Sequence, residues 1–246
     1  MIRIFDLSAC AHIETQLVAL WQEAFEDRED YIRTFMRKAG KYAQVVVCEM
    51  DNRIVSAAYL LPVSYIQDGC TSLDCYCLYA AATLKEYRGC GYFARILQFV
   101  NERINKPVIL VPASESLVAY YKMHNFHIWL TEKRDVVDNW HPTMVQAISK
   151  EEYCKFRKEV FHKPYNMLWD DEMINYICTE HEKAGGIFVE TFIDSARVLF
   201  MDTGARKDWN ILEMVSHNEN YRIQPIVMAN STILKEGKGY FNLTMG

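Results

Sequence analysis

Ala80-Ala81-Ala82-Thr83-Leu84 reads as the end of a strand, and Lys85-Glu86-Tyr87-Arg88-Gly89-Cys90-Gly91 carries the chain from it into a helix. That helix is amphipathic, with Phe93, Ile96, Leu97, Val100 and Ile104 forming an apolar stripe fit to pack on a sheet. Glycines two apart let successive amides turn inward with no Cβ in the way of a ligand. Those amides lie at a helix N-terminus, where unpaired N–H groups and the positive end of the dipole favour an anion. Arg88 adds a positive charge, so the turn suits a pyrophosphate without requiring a metal. Neither familiar nucleotide motif fits. A P-loop needs G-K-[ST] after a longer loop, and residue 94 is Ala where the dinucleotide fingerprint usually ends in Gly. Several elements also precede this turn, whereas the dinucleotide motif normally follows the first strand.

The chain before the turn alternates strand and helix signals. Met1–Asp6 reads as a short strand; Ile13, Leu17, Leu20, Trp21 and Ala24 recur at helical spacing, and Tyr31, Ile32, Phe35 and Met36 mark a second helix. Two β-rich runs, 43–50 and 53–60, flank Asp51-Asn52 and predict a hairpin. Another strand, from about Ser72 to Thr83, delivers the chain to the turn. Beyond the helix, Pro107–Val111 is a short buried strand, and Ser114 is a good N-cap for a helix holding Leu117, Val118, Tyr121 and Met123. Asn125 ends that helix and His127–Leu130 returns as a strand. This is an α/β layer order with an antiparallel hairpin at its start. Asp138–Pro142 reads as a connection. After it come helices around Glu151–Val160 and Asp170–Lys183, then strands at Gly186–Ile193, Ala196–Asp202 and Trp209–Val215. The second part echoes the first but has no R-G-x-G turn, so it is not expected to bind the same ligand.

Composition narrows the function classes. The 246 residues suffice for one large domain or two modest ones, and half of them are hydrophobic. A net charge of -5, with no basic run interleaved with aromatics, argues against nucleic acid as a partner. The N-terminus lacks the pattern of a signal peptide, and no stretch approaches the roughly 18–20 apolar residues that span a bilayer. A cytoplasmic protein with no membrane partner is expected. The eight cysteines form no C-x-x-C pair and no H-E-x-x-H occurs, so no metal site is expected and the thiols read as reduced core residues.

The segment Leu84–Gly91 resembles the acetyl-CoA motif Q/R-x-x-G-x-G/A of the GCN5-related N-acetyltransferase (GNAT) superfamily, with Glu86 where Gln or Arg is usual. Downstream, Tyr120–Phe126 resembles that family's F-Y-x-x-x-G-F segment, with Asn125 in place of Gly. The order and separation of the two are more specific than either alone. The resemblance covers residues 1–137 and implies an α/β (α+β) fold with a mixed, mostly antiparallel central sheet flanked by helices. Residues 1–137 are then the acetyl-CoA-binding catalytic domain. Residues 138–246 form a smaller C-terminal α+β domain, either a degenerate second GNAT-like copy or a plain accessory domain.

The resemblance also implies roles. Backbone groups of Ala81, Ala82 and Thr83 would pair with the pantetheine arm, and amides of Arg88, Gly89, Cys90, Gly91 and Tyr92 would hold the pyrophosphate. A backbone amide near Ala82 or Thr83 would stabilise the developing oxyanion. Ser114 could bond the pantetheine or only cap its helix. Tyr121 aligns with the tyrosine that protonates the departing thiolate, with Tyr120 as the neighbouring competitor; a phenol stays neutral at pH 7 in an apolar cleft. Asp74 is the candidate base for the amine. The acidic run Glu26–Asp30 either attracts a cationic amine or is a solvated turn between helices. His124 and His127 show no metal spacing, and Trp140, Trp169 and Trp209 either line an acceptor cleft or anchor a core. The expected activity is acetyl transfer from acetyl-CoA directly to a small-molecule or protein amine, with no metal and no acyl-enzyme on Cys90. The alternative is a non-catalytic acyl-CoA-binding module with a regulatory or assembly role. The acceptor and the oligomeric state stay open.

Overall fold

The computed structural model describes residues 1–67, 72–133, 144–204, 211–234, 237 and 239–242. In chain order the first elements are β1 (Ile2–Asp6), α1 (Glu14–Phe25), α2 (Glu29–Ala39), β2 (Gln44–Met50), β3 (Arg53–Ile66) and β4 (Ser72–Thr83). Next come α3 (Tyr92–Arg103), β5 (Val108–Leu110), α4 (Glu115–Lys122) and β6 (His127–Leu130). The remainder is β7 (Gln146–Ala147), α5 (Lys150–Phe161), β8 (Met167–Leu168), α6 (Asp171–Lys183), β9 (Ile187–Ile193), β10 (Ala196–Asp202), β11 (Ile211–Ser216) and β12 (Val227–Ala229). Among the described residues no helix is long and apolar enough to cross a membrane.

Two compact units interleave along the chain. The first comprises Met1–Val63, Asp74–His127 and Met228–Ile233; the second comprises Ser64–Leu73, Ile128–Val227 and Leu234–Gly246. This division differs from a linear boundary after residue 137, because a short late segment returns to the first unit.

The strands of the first unit follow the order β1-β2-β3-β4-β5-β12. Pairing is antiparallel at β1–β2, β2–β3 and β5–β12 and parallel at β4–β5, so the sheet is mixed with antiparallel contacts dominating. The predicted hairpin forms because Asp51 and Asn52 both adopt positive φ, 48° and 63°, matching the twist of the flanking strands. Val45–Cys48 and Ile54–Leu61 are continuously buried, which requires cover on both strand faces. Helix α3 packs on β1 and β2. Trp21 of α1 and Phe35 of α2 meet Tyr59 and Tyr79, with ring centroids 5.0–6.0 Å apart. The returning segment is held at Asn230, whose Oδ1 accepts from the Val108 amide at 2.8 Å and whose own amide donates to the Val108 carbonyl at 3.1 Å.

In the second unit β7, β9, β10 and β11 form an antiparallel sheet in the order β11-β10-β9-β7. The expected helix–helix–strand–strand–strand order is present, with α5 and α6 packed together and α5 lying on β11. Side chains of Ser149 and Asp170 accept from the Glu152 and Met173 amides, which caps both helices. At the centre Glu213 is fully buried and takes four hydrogen bonds. Arg157 supplies two, at 2.8 and 3.0 Å, and the hydroxyls of Tyr153 and Tyr240 supply the others, at 2.6 and 2.8 Å.

Candidate functional site

The site starts where β4 leaves its neighbour. β4 and β5 pair only at Tyr76↔Val108 and Cys77↔Ile109, yet β4 continues to Thr83 while β5 stops at Leu110. The last residues of β4 therefore have no β5 residue beside them, which leaves room along that edge for an extended ligand. Within the diverging stretch Ala80 has φ +45°, a conformation that L-residues rarely adopt outside turns. A left-handed residue inside a strand breaks the ladder and re-aims its peptide groups, as a bulge does. Such strain persists only where the surroundings impose it, and it concentrates at ligand clamps.

The strand end is pinned from one side. The Ser56 hydroxyl donates to the Ala82 carbonyl at 2.9 Å and shares a hydrogen bond with the Thr83 hydroxyl at 2.9 Å. Arg88 folds back, its Nε donating to the Thr83 carbonyl at 3.0 Å. The Lys85 amide donates to Glu23 Oε1 at 2.6 Å, which ties the turn to α1. Glu86, the departure from the usual motif residue, pairs with Arg53 Nη1 at 2.5 Å. It thereby joins the turn to the β2–β3 hairpin.

Gly89 and Gly91 have φ +77° and +78°, and a Cβ on either would meet no atom within 4 Å. The glycines therefore answer a backbone requirement, and the space above them is open. Gly91 is the N-cap of α3 and offers no side chain to its first turn. Among the described residues the amides of Gly89 through Ala94 have no protein acceptor, and Arg95 N–H is the first to bond, to the Gly91 carbonyl at 3.2 Å. The result is a run of free donors at the positive end of a helix dipole, fit for a pyrophosphate. The Arg88 amide, expected among them, is instead directed at the Lys85 carbonyl at 3.3 Å, where it closes a short 3-10 turn. Tyr92 packs edge-on against Tyr87 at 5.8 Å, and Cys90 is exposed.

Phe93 joins the two sequence motifs. Its ring stacks on Tyr120 at 6.1 Å and meets Tyr121 edge-on at 6.3 Å, so α4 is held against the helix that begins at the glycine turn. Tyr121 is buried, and its hydroxyl has no hydrogen bond among the described residues. Burial, with a smaller contribution from Tyr120, pushes its pKa up to about 12. The phenol therefore keeps its proton at neutral pH and has no competing partner for it. Tyr120 is less buried and leans on His124 at 4.6 Å. Asn125 has φ +65°, the left-handed conformation for which a glycine serves in the related motif.

Other expected residues lie elsewhere. Ser114 occupies the N-cap position of α4 but makes no capping bond; its hydroxyl bonds that of Ser116 at 2.9 Å, a nearer partner. Asp74 is exposed and pairs with Lys106 Nζ at 3.1 Å. It stands nine residues before Thr83 in β4, and at about 3.3 Å per residue that is roughly 30 Å. The acidic run is the solvated turn: Asp27 accepts from Trp21 Nε1 at 2.7 Å, Asp30 pairs with Arg28 at 2.9 Å, and Glu26 is the left-handed C-cap of α1. Trp169 is buried, its Nε1 donating to the Asn242 carbonyl at 3.2 Å, and it also lines a cavity of the second unit. Trp140 and Trp209 lie outside the described residues. No group of His, Cys, Asp and Glu among the described residues could hold a metal ion. Sequence reasoning missed Ala80, Ser56, Glu23 and Phe93. Only Phe93 left a signal, as the first apolar position of the helix.

Residues 11–129 match the family model of the acetyltransferase (GNAT) domain. A search of curated protein sequences returned no match. Among solved structures, a conserved protein of unknown function from Enterococcus faecalis V583, described as a probable N-acyltransferase, superposes with a TM-score of 0.60 at 12% identity. The match covers 93% of this chain and 72% of that protein. GCN5-related N-acetyltransferases from Kribbella flavida and Anabaena variabilis ATCC 29413 superpose with TM-scores of 0.54 and 0.59 at 14% and 12% identity. These cover 89% and 90% of this chain but 58% and 60% of theirs, so the chain spans less than two thirds of either. At such identities the likeness establishes the fold.

Proposed function

We propose that this chain, whose residues 11–129 match the acetyltransferase (GNAT) domain model, moves an acetyl group from acetyl-CoA directly onto an amine. The observation that supports this reading best is the juxtaposition of β4's diverging end, with Ala80 left-handed, and the run of free amides from Gly89 to Ala94. In this reading the amides receive the pyrophosphate, while the peptide groups of Ala81, Ala82 and Thr83 align the pantetheine arm. The attacking nitrogen forms its bond to the carbonyl carbon as the carbon–sulfur bond breaks, and Tyr121 gives its proton to the departing sulfur. A carboxylate or ordered water takes the amine proton; the position of Asp74 does not favour it for that task. Both the choice of acetyl among acyl groups and the acceptor's identity belong to this proposal.

The test is release of free CoA thiol during incubation with acetyl-CoA and a panel of polyamines, aminoglycosides, amino acids and peptide amines. At least one amine should accelerate release above the rate without acceptor. If CoA binds and no acceptor accelerates release, the chain is a binding module. The glycines give an independent check. Gly89→Val and Gly91→Val each force a β-branched residue into a left-handed conformation that costs about 1–2 kcal/mol, so the turn relaxes and its amides diverge. CoA affinity by calorimetry should fall about tenfold or more, since about 1.4 kcal/mol is one decade. Unchanged affinity in both variants would defeat the assignment of the amide cradle.

A further inference from the structure

The second unit contains a cavity of about 750 Å³ lined by Leu168, Trp169, Ile174, Lys150, Lys155 and Cys154. None of its lining residues is among the groups from Ala80 to Tyr121 placed in the acyl-transfer reading. Cys154 on α5 is partly exposed there, while Cys178 on the packed helix α6 is buried. Their sulfurs hydrogen-bond at 3.6 Å. A disulfide needs about 2.05 Å, so closure asks the two sulfurs to approach by about 1.5 Å. The two positions are also unequal. One sulfur opens onto a cavity wide enough for a small reagent; the other is shielded from solvent and touches the first.

The geometry points to Cys154 and Cys178 as an oxidisable dithiol site, in which a hydroperoxide enters the cavity, the Cys154 sulfur attacks it, and Cys178 resolves the sulfenic acid that forms. The electrostatics agree with that division of labour. The hydrogen bond shared with Cys178, then the charges of Arg157 and Lys150, hold the Cys154 thiol below its usual pKa against the opposing effects of burial and of Glu151. The Cys178 thiol is pushed up by the same hydrogen bond and by burial. Cys154, open to the cavity, is thus placed as the attacking sulfur, and Cys178, buried beside it, as the resolving one. The Cys154 sulfur bonds the distal peroxide oxygen, the O–O bond breaks, and the other oxygen leaves and takes up a proton as an alcohol or water. The Cys178 sulfur then bonds the Cys154 sulfur, the S–O bond of the sulfenic acid breaks, and hydroxide leaves with the Cys178 proton as water. Two thiols lose two electrons and one hydroperoxide gains them.

The experiment is peroxide titration of the folded full-length chain, followed by denaturation, alkylation and peptide mapping. With hydrogen peroxide as the probe, both thiols should be lost together as a linked Cys154–Cys178 peptide lighter by two hydrogens. Dithiothreitol should restore them. In Cys178→Ser, Cys154 should instead accumulate as a dimedone-reactive sulfenic acid, and in Cys154→Ser, Cys178 should remain fully alkylatable. The proposal is overturned if both thiols survive a peroxide dose that oxidises exposed Cys90. It is equally overturned if Cys154 in the unmodified chain runs on to sulfinic acid with no link to Cys178. Neither readout involves acyl transfer, so failure here and failure of the proposed acetyltransferase activity are separate results.

Discussion

Tyr121→Phe is expected to lower acetyl-transfer turnover by about 10²–10⁴-fold, the usual contribution of a positioned general acid, while leaving acetyl-CoA affinity unchanged. The hydroxyl is the only group removed. The ring contacts to Phe93 and Phe126 are made by the ring carbons, so the helix stays in place. Tyr120→Phe is the control: its ring leans on His124 and Phe93, and turnover should stay near that of the unaltered chain. The pH dependence separates a proton donor from a packing residue. In the proposed role the acidic form is the active one, and burial pushes the Tyr121 pKa up to about 12, so its contribution would be fully present at neutral pH. It is lost only as pH rises toward that value. Comparing kcat against pH for the two proteins should give a ratio that is constant across the neutral range and narrows as pH rises toward about 12, whereas a packing role leaves it constant throughout. Normal turnover in Tyr121→Phe would remove the acid role and leave the tyrosine as part of the α3–α4 contact.

Arg157→Ala is expected to destabilise the second unit by about 3–5 kcal/mol, because it strands a buried carboxylate. Glu213 sits at 0% exposure, and Arg157 at 5% gives it two of its four hydrogen bonds. The tyrosines that remain are neutral donors and leave the charge uncompensated. Removing the other partner, in Glu213→Ala, strands the guanidinium instead and should cost a similar amount. For a chain of this length a loss of that size lowers Tm on the order of 10 °C. The double variant Arg157→Met/Glu213→Leu should recover much of the loss, since replacing both charges with apolar groups avoids the desolvation that a single deletion exposes. Calorimetric scans of the three proteins measure it. If the single variants melt within a degree of the parent, the buried pair contributes little and the surrounding apolar core holds the unit alone.

Both expectations depend on positions of unequal legibility. Tyr121 was readable because its motif is short: the helix, the left-handed Asn125 and Phe126 lie within a few residues of one another. The glycine turn was readable for the same reason, as were the Asp51-Asn52 hairpin and the helices through residues 150–161 and 171–183. Glu213 drew no notice in the sequence. Its partners come from positions 153, 157 and 240, and a glutamate in a strand pattern ordinarily faces solvent. Asp74 attracted attention by its place before the turn, yet its partner Lys106 lies 32 residues on, where no local pattern links them. The strands β7 and β8 escaped because two residues carry no period to read.

Local chemistry therefore settled in advance the turn, its two glycines, the helix that follows and the α/β character of the chain. Side-chain periodicity, left-handed positions and caps are properties of neighbouring residues. The packed fold alone decided that β4 diverges from β5, that Ala80 is the strained residue, and that the 228–233 segment returns to the first unit. It also brought Cys154 beside Cys178. These depend on pairings across tens of residues, and one pattern of apolar positions is compatible with several such pairings until the sheets and helices bury one another.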